Sequence, residues 1–133
     1  MSIDSLPRGS GTLLLVDDDV AVLEVTGKLL EIVGYSVLSA PDAETAFELA
    51  RRNAQVRLIL LDLTLPGFES SVVIENLRQI TPDVPIVVMT GYPENETESR
   101  LQNQQIEGYL EKPFQPPMLL KLLADVLNAV PTR

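Results

Sequence analysis

At 133 residues and 45% hydrophobic content the chain has room for one soluble domain with a real core. A net charge of −9 argues against direct nucleic-acid binding, which would need a basic stripe. The absence of Cys and His removes disulfides, thiol chemistry, any His-based triad and the usual zinc sites. No apolar run approaches membrane-spanning length and no secretory signal opens the chain, so no membrane insertion is expected and the cytoplasm is the default.

The first eleven residues contain Pro7, Gly9, Ser10 and Gly11 without periodicity. They read as a flexible tail or linker ahead of a single domain over residues 12–130. Thr12 to Val16 is a short apolar strand ending in Asp17-Asp18-Asp19. From Val20 to Val33 apolar residues fall at helical spacing (Val22, Val25, Leu29, Leu30, Val33), and Gly34 supplies the stop. Tyr35 to Ser39 is a second strand, and Asp42 is a fair N-cap for a helix ending near Arg52.

The stretch Leu58-Ile59-Leu60-Leu61-Asp62 organises the rest. A continuous aliphatic run reads as a strand buried on both faces, the habit of parallel sheets. Pro66-Gly67 then opens a loop, leaving Asp62 just past the carboxyl end of a central strand. Ser70 or Ser71 can cap a third helix with Val72, Val73, Ile74 and Leu77 inward, followed by a strand from Val84 to Met89. A polar segment in which Leu101 is the only large apolar residue between Pro93 and Ile106 predicts a short, weakly held fourth helix. Gly108 to Leu110 is the fifth strand, and the last helix runs from Pro116-Pro117 to about Ala129. Five strands alternating with five helical segments make an α/β fold, a doubly wound parallel sheet with right-handed crossovers.

That topology collects the βα loops on one sheet edge. There lie Asp17, Asp18 and Asp19 after the first strand, Asp62 after the third, Thr90 after the fourth and Lys112 after the fifth. Carboxylates sharing a cleft repel unless a cation joins them, and an all-oxygen set favours Mg²⁺. A lysine, a threonine hydroxyl and the backbone N–H of Gly91 suit the oxygens of a phosphoryl group, with Asp62 as candidate nucleophile. Asp19 reads more readily as a helix cap than as a metal ligand.

The series Val16-Asp17-Asp18, Leu61-Asp62, Met89-Thr90-Gly91 and Tyr109-Leu110-Glu111-Lys112-Pro113-Phe114 resembles the receiver domain of two-component response regulators. The resemblance covers residues 12 to 130. It implies a flavodoxin-like sheet in strand order 2-1-3-4-5 and a signalling receiver that catalyses only its own phosphorylation and dephosphorylation. In such a domain Asp62 would accept phosphate from a histidine kinase in a Mg²⁺-dependent reaction and shift the domain between two conformations. By the same resemblance Asp18, Asp62 and the carbonyl of Thr64 would ligate Mg²⁺, with Asp17 acting mostly through water. Lys112 would pair with phosphoryl oxygens, Thr90 would turn towards them, and Tyr109 would be the aromatic switch residue that follows. A cis Lys112-Pro113 peptide is also implied. An aromatic at Tyr92 would hinder attacking water and lengthen the phosphoryl lifetime.

The partners implied are a cognate histidine kinase or phosphotransfer domain, with a weak homodimer allowed. Apolar residues in excess of one core stripe on the first and last helices (Met118, Leu119, Leu120, Leu122, Leu123, Val126, Leu127) are the expected docking patch. With one helix after Lys112, the chain looks like a stand-alone receiver or the C-terminal receiver of a hybrid sensor kinase. The loop departs from the family's usual Pro-Gly-Met-Asp-Gly by reading Pro66-Gly67-Phe68-Glu69-Ser70, which puts the local loop path in question. Two other readings compete. Leu13 to Val20 also fits the opening of haloacid-dehalogenase phosphatases, with Asp17 as nucleophile. A docking module that keeps the fold without turning phosphate over is the other.

Overall fold

The computed structural model describes residues 6–101 and 104–129. In chain order the elements are β1 (Thr12–Val16), α1 (Val20–Ile32), β2 (Ser36–Ala40), α2 (Ala43–Arg52), β3 (Val56–Asp62), α3 (Ser70–Ile80), β4 (Ile86–Thr90), α4 (Glu94–Arg100), β5 (Gly108–Glu111) and α5 (Pro116–Ala129). All four strand pairings are parallel and give one sheet in the order β2-β1-β3-β4-β5. This is the doubly wound α/β fold expected from the sequence.

The three central strands are mostly apolar, Thr12, Arg57, Asp62 and Thr90 excepted, because helices cover both faces, and alternation assigns each residue to one of them. Leu14, Val16, Ile59, Leu61, Ile86 and Val88 pack with Ala46, Phe47, Val73, Ile74 and Leu77 of α2 and α3. Leu13, Leu15, Leu58, Leu60, Val87 and Met89 pack with Leu23, Leu30, Leu119, Leu120 and Leu123 of α1 and α5. Each fully buried leucine contributes about 1.5–3 kcal/mol of transfer free energy, so the sheet is a rigid base for whatever its edges carry. Among the described residues no helix is long and apolar enough to cross a membrane.

Several boundaries and faces differ from expectation for identifiable reasons. β4 starts at Ile86 rather than Val84, because the Val84 amide is used in a turn to the Thr81 carbonyl and Pro85 has no N–H to give. Tyr35 precedes β2, its amide closing α1 on the Leu30 carbonyl. The buried face of α1 is Leu23, Thr26, Gly27 and Leu30, while Val25 is 70% exposed. Thr26 and Gly27 are buried on this face but carry no hydrophobic signal. On α3 the cap is Glu69 without a side-chain bond, and Val72 is exposed rather than inward. Ser70, expected to cap, instead donates its hydroxyl to the Leu63 carbonyl at 2.7 Å, closing the loop after Asp62.

Residues 6–11 are tied to the neighbouring elements through backbone groups. Gly9 N–H donates to Val33 O, Ser36 N–H to Gly11 O, and the Arg57 guanidinium to Ser10 O. A Cβ at Gly9 would overlap the Tyr35 ring, so any other residue there requires that ring to shift. Residues 1–5, the remainder of the segment read as a tail, lie outside the described residues.

Candidate functional site

Parallel strands deliver their carboxyl ends to one edge, and that edge holds an acidic cluster and a lysine. Asp17 follows β1, Asp62 ends β3, Thr90 ends β4 and Lys112 follows β5. One carboxylate oxygen each of Asp17, Asp18 and Asp62 lies within 4.8 Å of the other two. Asp17 and Asp62 are buried, whereas Asp18 opens to solvent.

Lys112 holds this cluster together. Its Nζ donates to Asp17 Oδ2 at 2.9 Å and lies 3.5 Å from Asp62 Oδ2. Burial disfavours the ammonium, but the hydrogen bond to Asp17 and the charge of Asp62 outweigh it, leaving the Lys112 pKa above its ordinary value. Asp17 is also raised, first by its own burial and then by Asp62, against the opposing Asp19 amide and Lys112. The two directions look inconsistent for one ion pair. They follow from placement: Asp17 is fully enclosed beside a second carboxylate, while Lys112 keeps 29% of its side chain in solvent.

The oxygens of the two buried acids are committed differently. Asp17 Oδ1 accepts the Asp19 amide at 2.9 Å and Oδ2 accepts Lys112, which leaves Asp17 poorly disposed as a nucleophile. Asp62 Oδ1 accepts from the Thr64 amide (3.0 Å) and hydroxyl (2.8 Å). Its Oδ2 makes the longer of the two contacts to Lys112, at 3.5 Å. The resemblance implies a ligating carbonyl and a lifetime-tuning position at Thr64; the hydroxyl bond to Asp62 is a further contact. Asp19 takes the capping role expected of it, its Oδ1 accepting from Ala21 N (2.9 Å) and Val22 N (3.4 Å).

Thr90 is buried, and its Oγ1 accepts the amide of Tyr92 at 3.1 Å. Gly91 is exposed, with open space where a Cβ would project. Tyr109 sits opposite Val88 in the β4–β5 register and packs against the same core as Val88. Thr90, two residues beyond Val88, therefore shares that sheet face with Tyr109. Burial, then Glu98, Glu94 and Glu107, raise the Tyr109 phenol pKa. The Lys112-Pro113 peptide is cis. Beside Lys112 an apolar groove of about 520 Å³ runs between α1 and Pro113-Phe114, lined by Ala21, Val22, Val25 and Thr26.

Comparison with known proteins agrees with this geometry. The family model described as "Response regulator receiver domain" matches residues 13–124. The phosphate regulon transcriptional regulatory protein PhoB of Pseudomonas aeruginosa is 32% identical over 121 residues, covering 88% of this chain and 52% of that protein. A CheY-like receiver domain protein from Methanospirillum hungatei superposes with a TM-score of 0.80 at 30% identity, covering 93% of this chain and 95% of the other. A response regulator from Burkholderia pseudomallei, solved with a phosphorylated aspartic acid and a calcium ion, gives 0.76 at 28% identity over 90% and 69% of the two chains. The chain belongs to the response regulator receiver domain family of two-component signalling. It spans about half the length of curated relatives such as PhoB.

Proposed function

We propose that Asp62 is the phosphoacceptor and that this receiver takes its phosphoryl group from the phosphohistidine of a cognate kinase or phosphotransfer domain. The observation that carries this reading is the asymmetry of the acids at the sheet edge. Asp17 has both oxygens engaged in short hydrogen bonds, whereas Asp62 has one oxygen whose contact to the Lys112 ammonium, at 3.5 Å, is the looser of that lysine's two. In the transfer, Asp62 Oδ2 attacks phosphorus, the P–N bond breaks, and the departing imidazole takes up a proton. Lys112 is placed to move from the two carboxylates onto the incoming phosphoryl oxygens, while the Gly91 amide and Thr90 hydroxyl border the same edge.

The carboxylates of Asp17, Asp18 and Asp62 form an all-oxygen donor set of the kind Mg²⁺ accepts. Asp18, Asp62 and the Thr64 carbonyl would hold the ion, with Asp17 reached through water. The ion would supply positive charge beside the transferring oxygens. This reading makes the domain a cytoplasmic signalling switch whose only chemistry is gain and loss of its own phosphate.

The kinase surface is assigned to α1 and the groove beside Lys112. Val20, Val25 and Ile32 are exposed on α1, and Val22 and Val25 line the groove. The last helix contributes less than its sequence suggests. Leu119, Leu120, Leu123 and Val126 are core, Leu122 and Leu127 are partly buried against it, and only Met118 stands out, at 59% exposure. An apolar helix face of a kinase bundle laid in this groove would bring its phosphohistidine to the sheet edge.

Incubation with acetyl phosphate and Mg²⁺, followed by intact-mass analysis, tests the proposal. One phosphoryl group on the wild-type chain and none on Asp62→Asn is the expected result. Undiminished uptake by Asp62→Asn would overturn it.

A further inference from the structure

Tyr92 is fastened at three points. Its N–H donates to Thr90 Oγ1 at 3.1 Å, its carbonyl lies 3.5 Å from the Thr97 hydroxyl, and the Arg100 guanidinium carbon stands 4.0 Å from its ring centroid. Arg100 is steadied in turn by Glu96 at 3.3 Å, one helical turn back. The rest of α4 has little hold on the domain: within residues 94–101 only Thr97 and Leu101 are buried. The aromatic–guanidinium contact therefore closes a short path from the end of α4, through the Tyr92 ring and backbone, to the hydroxyl of Thr90.

We propose that Arg100 is a positioning residue which, by stacking on Tyr92, latches Thr90 in its unphosphorylated arrangement and opposes activation. This rests on the reading of Asp62 as phosphoacceptor. A β-branched threonine occupies discrete rotamers, so turning Oγ1 towards a phosphoryl group on Asp62 means giving up the Tyr92 amide. Anything that fixes Tyr92 where its amide meets Thr90 weights the equilibrium against that turn. A ligand that favours the turned state must overcome the latch, and its apparent affinity falls by the same factor. Arg100 suits the role because its flat guanidinium can lie on the ring while still reaching Glu96. Nothing in the chain's motifs points to this pair, since seven residues lie between the partners and neither belongs to the acidic cluster.

The test is the affinity of the full chain for beryllofluoride, a phosphoryl mimic, in saturating Mg²⁺, by isothermal titration calorimetry. Arg100→Gln should bind about two- to fivefold more tightly than wild type, the size of an exposed cation–π contact. Arg100→Lys, which keeps a cation over the ring, should lie closer to wild type. In a Tyr92→Leu background, Arg100→Gln should add nothing, because the ring it acts through is gone. A merely structural role for Arg100 would lower the melting temperature without this dependence on Tyr92. Unchanged or weaker beryllofluoride binding by Arg100→Gln, or the same gain in both backgrounds, overturns the latch. If wild type fails to bind beryllofluoride, the phosphoacceptor reading fails and the latch with it. If wild type binds and Arg100→Gln matches it, the latch alone fails.

Discussion

Replacing Lys112 with methionine keeps an unbranched side chain and deletes the one cation that reaches the acidic cluster among the described residues. At an effective dielectric near 20, contacts of 2.9 and 3.5 Å correspond to roughly 6 and 5 kcal/mol of gross attraction. The net loss is far smaller. Deleting the ammonium also removes its own desolvation penalty, and the crowded acids have an escape by binding a proton. For an aspartate with the ordinary value of 3.8, protonation at pH 7 costs about 4 kcal/mol. Asp17 already lies above that value, so the ceiling is lower still, and about 2–4 kcal/mol is expected at pH 7.

The pH dependence follows with a definite sign. The folded variant holds a proton that the unfolded chain lacks, so its stability falls as pH rises. The cost of the substitution should therefore shrink towards acid, by up to about 1.4 kcal/mol per unit between pH 7 and pH 5. Added Mg²⁺ should recover part of the loss at pH 7, because it replaces the missing positive charge. Urea unfolding of both proteins at pH 5, 6 and 7, with and without Mg²⁺, measures all of this. A cost that is the same at every pH and indifferent to Mg²⁺ would show that Lys112 acts by packing, and the electrostatic reasoning would be refuted.

Other expectations follow from the same contacts. Asp18→Ala should weaken Mg²⁺ binding at least tenfold by calorimetry while leaving the melting temperature within a few degrees, because Asp18 is exposed. Val25→Glu should slow transfer from the cognate kinase and spare labelling by acetyl phosphate; equal slowing of both would remove α1 from the docking surface. Residues 93–101 should exchange their amides faster than α1 does, since only Thr97 and Leu101 of residues 94–101 are buried, and should gain protection with beryllofluoride. High protection in both states would place the switch elsewhere. Ser70→Ala should cost about 1 kcal/mol through loss of its bond to the Leu63 carbonyl, read by urea unfolding.

The layered fold was legible because the central strands are unbroken aliphatic runs, and only a doubly covered parallel sheet buries such runs on both faces. The acidic cluster with its lysine was legible too, since parallel topology fixes which loops share an edge. What escaped the sequence has no hydrophobic signal. Thr26 and Gly27 lie on the buried face of α1, where a threonine and a glycine add nothing to the apolar periodicity. Ser70 looks like a cap but bonds backwards across the loop, and the anchoring of residues 6–11 runs largely through backbone groups that every sequence possesses. Arg100 over Tyr92 is a tertiary contact within a polar stretch, where composition says only that the helix is weakly held.

The assignment of Asp62 is tested most directly by locating the phosphoryl group itself. The wild-type chain is labelled with acetyl phosphate and Mg²⁺, the acyl phosphate is trapped by borohydride reduction, and the modified residue is identified by peptide mapping. Reduction at Asp62 alone is the expected result. Modification at Asp17, or at neither aspartate in a protein that binds Mg²⁺, would contradict the account.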